Sequence, residues 1–271
     1  MIELADAMVY VNQLKSTLLG KTIETAEVMQ SPHTFGWMNL PKAEFESKLL
    51  RRTIVGVHNA AASIVIELDT NDFVLLGEDV TIEWGKTIPE KHQLLLTFTD
   101  HTNLVVRVKM YGFLMIGTVE ELVKSSPYVA SNLLRPNPTS PEYDQEYFLK
   151  NVLETQPKAS LKQAIATKQA IPGIGNGLLQ DILFLAKCSP KRKVNTLTEI
   201  EKNAIFSALQ ETIQAVFEKK GRNTMTYLFG EAGSYQELMR NPQKLCPICH
   251  TPLVEEAYLG GKVIYCGNCQ S

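Results

Sequence analysis

The chain predicts an α+β multidomain protein: an N-terminal helix plus a two-layer antiparallel β-sandwich, a helical middle domain, and a C-terminal β-hairpin built on two cysteine pairs. Three observations predict it. Short strand-like runs crowd residues 22–108, the apolar period turns helical beyond residue 142, and the chain closes on Cys246-Pro-Ile-Cys249 and Cys266-Gly-Asn-Cys269.

Leu4, Met8, Val11, Leu14 and Leu18 recur at helical spacing over residues 4–19, and Gly20 stops that helix. Strands are expected at 22–29, 53–57, 62–68, 73–77, 80–84, 93–99 and 103–108, with turns at Thr70-Asn71-Asp72 and Asp100-His101-Thr102-Asn103. One short helix, 41–50, interrupts them. Trp37 and Trp84 read as packing residues, His33 as a loop residue and Cys188 as a buried or half-buried thiol. Three prolines within Leu134-Arg-Pro-Asn-Pro-Thr-Ser-Pro141 mark a linker. Beyond it, Ser160-Leu-Lys-Gln163 and Thr198-Glu-Ile-Glu201 fit the capping box, and helices are expected at 142–154, 160–168, 176–187, 198–219 and 223–229. The expected domains are 1–131, 132–240 and 241–271.

Charge is unevenly spread. The chain carries 27 Lys+Arg against 29 Asp+Glu, a balance that by itself suggests no polyanionic partner. Yet residues 1–149 hold 12 basic against 19 acidic side chains, whereas residues 150–222 hold 12 against 6. A basic middle segment in an acidic protein is a local electrostatic footprint. Apolar runs fall short of a membrane span, and Met1-Ile2-Glu3 has no basic leader, so a cytoplasmic protein with no membrane partner is expected.

A Cys-x-x-Cys knuckle offers two thiolates to one tetrahedral ion, and a second knuckle on a facing hairpin closes the site. The intervening HTPLVEEAYLGGKVIY reads as strand, turn at Gly260-Gly261, strand. One structural Zn2+ on Cys246, Cys249, Cys266 and Cys269 is the expectation. Two disulfides are the alternative; the missing leader and the odd cysteine, Cys188, argue against them.

Ile171-Pro-Gly-Ile-Gly-Asn-Gly177 opens into an apolar helix. Gly173 and Gly175 let backbone N–H groups converge, Asn176 can cap, and the helix start carries partial positive charge, which suits a backbone phosphate. Lys168, Lys187, Lys191, Arg192 and Lys193 surround the turn. A tight helix-start turn with no ligand is the plainer alternative. A dinucleotide fingerprint does not fit, because the third glycine and the preceding strand are missing.

PGIGNGLLQDILF followed by CxxC-x16-CxxCQ resembles the formamidopyrimidine-DNA glycosylase/endonuclease VIII family, and the resemblance covers the whole chain. It implies a helix–two-turn–helix domain around 160–190, a zinc finger, a monomer, and binding to double-stranded, lesion-containing DNA. It also implies base-excision repair by a DNA glycosylase with AP-lyase activity, in which an N-terminal proline amine attacks C1′ and the next glutamate moves protons. Glu3 matches that glutamate. Ile2 replaces the proline, so the amine falls to Met1 or Ile2. Ala62 stands where the family has a phosphate-binding lysine, and Glu78 where it has a methionine wedge. Lys109 and Tyr111 stand for its gap-filling arginine and phenylalanine. Gly261 aligns with its finger arginine, leaving Lys262 as the nearest cation. The resemblance places the lesion-reading loop near 206–236. Either the protein excises a damaged base with weak or altered lyase chemistry, or it binds lesions without catalysis; a zinc-ribbon protein with no DNA role is the third possibility.

Overall fold

The computed structural model describes residues 1–271, which form two compact units. One is Met1–Arg135 with Met225–Gly233; the other is Pro136–Thr224 with Ser234–Ser271. No helix is long and apolar enough to cross a membrane.

The first unit begins with α1 (Leu4–Leu18), which buries Leu4, Ala7, Val11, Leu14 and Leu18. Glu3 caps it in a box with Asp6. Then come β1 (Ile23–Val28), β2 (Gly36–Met38), α2 (Lys42–Leu49), β3 (Ile54–Ala60), β4 (Ser63–Leu68), β5 (Phe73–Gly85), β6 (Leu94–Phe98) and β7 (Asn103–Gly117). The strands run in the order β1-β6-β7-β5-β4-β3 and are antiparallel, except that β2 joins β7 in parallel.

Two long strands make two layers. β5 pairs with β7 along its whole length, but the register breaks between Glu78↔Gly112 and Val80↔Val108. Asp79 on one strand faces three residues, Lys109, Met110 and Tyr111, on the other. A bulge of this kind bends a ladder. Below the break β4 and β2 flank the pair; above it β6 flanks β7. The expected strands 73–77 and 80–84 are therefore one strand, because the acidic pair Glu78-Asp79 marks a bulge and not a turn. β7 likewise runs past its expected end at 108.

Two further helices, α3 (Val119–Ser125) and α4 (Pro127–Leu134), were not expected. Their signals are local: a Thr118/Glu121 capping box, then Ser126 capping a helix with proline in its first turn. Trp37 corrects another expectation. It lies on β2, a three-residue strand with one open side, and is 53% exposed.

The segment expected as a helix at 223–229 is a looped excursion instead. Isolated bridges Arg222↔Tyr235 and Thr226↔Ala232 close it, and Gly230 turns it at φ +83°. Side chains of α1 hold it in that form. Tyr10 donates to the Thr226 carbonyl at 2.7 Å, Gln13 accepts from the Leu228 N–H at 3.1 Å, and Tyr227 donates to buried Asp6 at 2.6 Å.

The second unit is helical with one hairpin. α5 (Gln145–Phe148) runs on as a π-helical turn, Leu149–Leu153, and a second such turn spans Gln163–Thr167 behind Ser160. α6 (Asn176–Leu185) buries Leu178, Leu179, Ile182, Leu183 and Phe184. α7 (Glu199–Glu218) starts at the Thr198/Glu201 box. The hairpin pairs β8 (Val254–Tyr258) with β9 (Gly261–Tyr265) through Leu259 and Gly260, both at positive φ. The turn thus sits one residue earlier than expected, and Gly261 is the first residue of β9.

Candidate nucleic-acid interface and N-terminal centre

In the second unit the hairpin turn meets the start of α6. A Cβ on Gly261 would lie 2.7 Å from Asn176 Nδ2 and 3.4 Å from Lys162 Nζ, so no larger residue fits there without displacing the amide. Asn176 does not cap α6. Gly175 holds the N-cap position with extended backbone (φ -105°, ψ -169°), and Asn176 is already helical, so its amide turns toward the hairpin. Gly173 enters the turn at φ +84°, a region open to glycine.

Lys162 was missed in the sequence. It is 1% exposed, its ammonium donates to the Tyr258 carbonyl, and burial pulls its pKa down. A lysine, an amide and the positive end of a ten-residue helix therefore converge on one turn. Nothing near Lys162 in sequence marks it, because its partner Tyr258 is 96 residues away.

The other expected cations go elsewhere. Lys262 pairs with Glu255 and lines a hollow of about 630 Å³ with Arg240 and Lys244. Strand alternation sends its side chain to the opposite face of β9 from Gly261's vacant Cβ direction. Lys168 borders a separate depression with Lys158 and Gln163. Lys191 pairs with Glu256 at 2.6 Å and lies 5.6 Å above the Tyr258 ring.

The four hairpin cysteines come together, their ligand atoms all within 4.8 Å of one another. Cys246 and Cys269 sulfurs are 3.8 Å apart and Cys249 and Cys266 sulfurs 3.5 Å. A disulfide needs about 2.05 Å, whereas tetrahedral thiolates about 2.3 Å from one ion lie about 3.8 Å apart. The Ile248 and Cys269 N–H groups point at Cys246 and Cys266 sulfur, as thiolates require. The donor set fits one metal ion with no open position. Cys188 is buried apart from it.

In the first unit the N-terminus sits on the β5 bulge. Ile2 is 2% exposed and its N–H donates to the Glu78 carbonyl at 2.8 Å. The Met1 ammonium lies 2.7 Å from Asp79 Oδ1, and the Tyr111 hydroxyl is 3.3 Å from the Met1 sulfur. Glu3 is 3% exposed; it accepts from the Asp6 N–H, and its own N–H donates to Asp6 at 2.9 Å. Glu78 turns inward at φ +73°, bonds Tyr128, and burial raises its pKa. At the wedge position it thus presents no side chain to a gap. Lys109, across the bulge from Asp79, lines a hollow of about 390 Å³ walled by Trp84, Arg107, Tyr227 and Phe229. Ala62 is buried in the β3–β4 turn.

Residues 134–227 match the model of the formamidopyrimidine-DNA glycosylase H2TH domain. The chain is 27% identical to a formamidopyrimidine-DNA glycosylase of Carboxydothermus hydrogenoformans over the full length of both. It is 24% identical to that of Lactococcus lactis, covering 100% of this chain and 99% of the other. Along its whole length the chain is thus similar to formamidopyrimidine-DNA glycosylases. In fold, the chain superposes on the MutM (Fpg) protein of Thermus thermophilus with a TM-score of 0.84 at 20% identity, covering 99% and 98% of the two chains. It matches Lactococcus lactis Fpg in complex with DNA containing an abasic site with a TM-score of 0.85 at 20% identity, covering 99% of each.

Proposed function

We propose that the protein binds damaged duplex DNA and excises a damaged base by cleaving the N-glycosidic bond, with weak or altered AP-lyase activity. The observation that carries this reading is the convergence of Lys162, Asn176 and the α6 N-terminus on the hairpin turn. Three donor groups on one turn suit a backbone phosphate, and phosphate contacts set register without reading sequence. Relatives along the whole chain are formamidopyrimidine-DNA glycosylases, which supports the reaction class. The ion suited to the four cysteines is zinc; when bound it would hold the hairpin, and so Gly261, against α6.

For the chemistry, we assign the attack on C1′ to the Met1 amine. It is half-exposed, whereas Ile2 is buried. Glu3 is the carboxylate for proton transfer at the sugar. A second reading, lesion binding without catalysis, draws on one observation: Glu3 is buried and committed to its capping box. Borohydride trapping on an abasic duplex separates the two. A covalent adduct excludes the binding-only reading; tight binding with every oxidised, alkylated and abasic duplex left intact excludes catalysis. Glu3→Gln is expected to abolish base release while the fold persists, since glutamine can still accept the Asp6 N–H. Full activity in that variant would remove Glu3 from the mechanism.

A further inference from the structure

Chain termini ordinarily fray, yet three ties fix this one. Ile2 adds a backbone hydrogen bond to β5 at 2.8 Å, Tyr111 meets the Met1 sulfur at 3.3 Å, and Asp79 meets the amine at 2.7 Å. The bulge is what makes Asp79 available. A non-glycine residue at positive φ is strained, and Glu78 adopts φ +73° at this point. The turn sends two consecutive carboxylates to different places. Glu78 goes inward to Tyr128, and Asp79 goes to the amine. Asp79 has no ladder partner of its own, because the register skips it.

We propose that Asp79 is the positioning residue of the Met1 amine, holding a primary amine in a fixed place for attack and remaining bonded to it through the covalent step. The proposal rests on the covalent form of the function proposed above. In that step the ammonium first loses a proton to solvent. Its lone pair forms the N–C1′ bond as the bond from C1′ to the base breaks, and the base leaves with that electron pair and takes up a proton. The nitrogen sheds a second proton; the C1′–O4′ bond then opens, O4′ gains a proton, and an iminium remains. An iminium from a primary amine keeps one N–H, which a secondary ring amine cannot. Asp79 accepts that N–H and faces the positive charge.

Two measurements test it. In the full-length protein at one fixed pH, an amine-reactive ester followed by peptide mass spectrometry reads the reactivity of the Met1 α-amine against the lysines as references. Asp79→Ala is expected to raise that reactivity several-fold, because the ion pair is gone. In single-turnover borohydride trapping on an abasic duplex, Asp79→Ala is expected to lose on the order of 10–100-fold in rate with unchanged DNA affinity. Asp79→Asn, which keeps an acceptor without the charge, falls between, and Asp79→Glu recovers part of the rate. Unchanged labelling in Asp79→Ala overturns the tie while leaving the covalent reading intact. Wild-type trapping rates in all three variants overturn the positioning role. Absence of trapping in the wild type overturns the covalent reading and this proposal with it, as does an intact mass lacking Met1.

Discussion

Burying an ammonium costs several kcal/mol unless charge or hydrogen bonds compensate it, and Lys162 has a carbonyl where a carboxylate would compensate more. Such a group is better satisfied by an incoming phosphate than by its own protein. Lys162→Met should weaken duplex binding by roughly tenfold and reduce the salt slope of binding by about 1, with little change in lesion preference. Fluorescence anisotropy across a salt series measures both. Thermal stability should hold or rise, since methionine fills the same space without a charge. Because burial lowers the Lys162 pKa, its share of the affinity should fade at alkaline pH before that of an exposed lysine. Lys262→Ala removes a pair with Glu255 on another face of the hairpin and should cost less. This distinction was closed to sequence reading. Lys262 follows the turn glycines and looks placed for a phosphate, whereas Lys162 sits in a capping-box tetrapeptide that explains itself as a helix start.

Capping boxes and cysteine knuckles were legible at the scale of elements because each is complete within a few residues. Thr198 and Glu201 satisfy one another's N–H groups without tertiary help, so Thr198→Ala should cost about 1 kcal/mol, visible as a lower urea midpoint at unchanged slope. The four thiolates make an equally local prediction. One metal ion per chain should be released by thiol modification and counted with a chromogenic chelator. Cys266→Ser should lose the ion and the DNA affinity together, since the hairpin then no longer presents Gly261 to Asn176. The helix expected at 223–229 failed for the opposite reason. Thr226, Tyr227 and Leu228 have an acceptable helical pattern, but Tyr10, Gln13 and Asp6 bind that stretch in an extended loop. A short helix gains little by itself. The β5 break was misread for a related cause: two adjacent acids look like a turn until Ile2 and the Met1 amine occupy their carbonyl and carboxylate.

The acid response of the whole molecule has a contributor in Asp181. Burial pushes this carboxyl up to about 6, against N–H donors from Leu238 and Met239 at 2.9 and 3.0 Å and the Tyr235 hydroxyl at 3.0 Å. The folded state binds its proton more tightly than the unfolded state. The stability it contributes is therefore fully present below the ordinary aspartate value near 3.9 and is lost as pH rises through about 6. Asp181→Asn should flatten the change in urea midpoint between pH 4 and pH 7, while other carboxylates keep their own dependence.

Fold class, sheet content and the metal hairpin followed from periodicity and spacing, which are properties of one stretch of chain at a time. The division into two units did not. Met225–Gly233 belongs with Met1–Arg135 although the residues on both sides of it belong to the other unit. No composition shift announces it.

Tyr227 reaches Asp6 across 221 residues of chain. During synthesis the first helix and all of the sheet leave the ribosome long before the tyrosine that holds the buried carboxylate of the cap. The N-terminal unit must wait in an unfinished state until Met225–Gly233 has been made. The clasp on α1 is thus made late, when Pro136–Thr224 has already been translated.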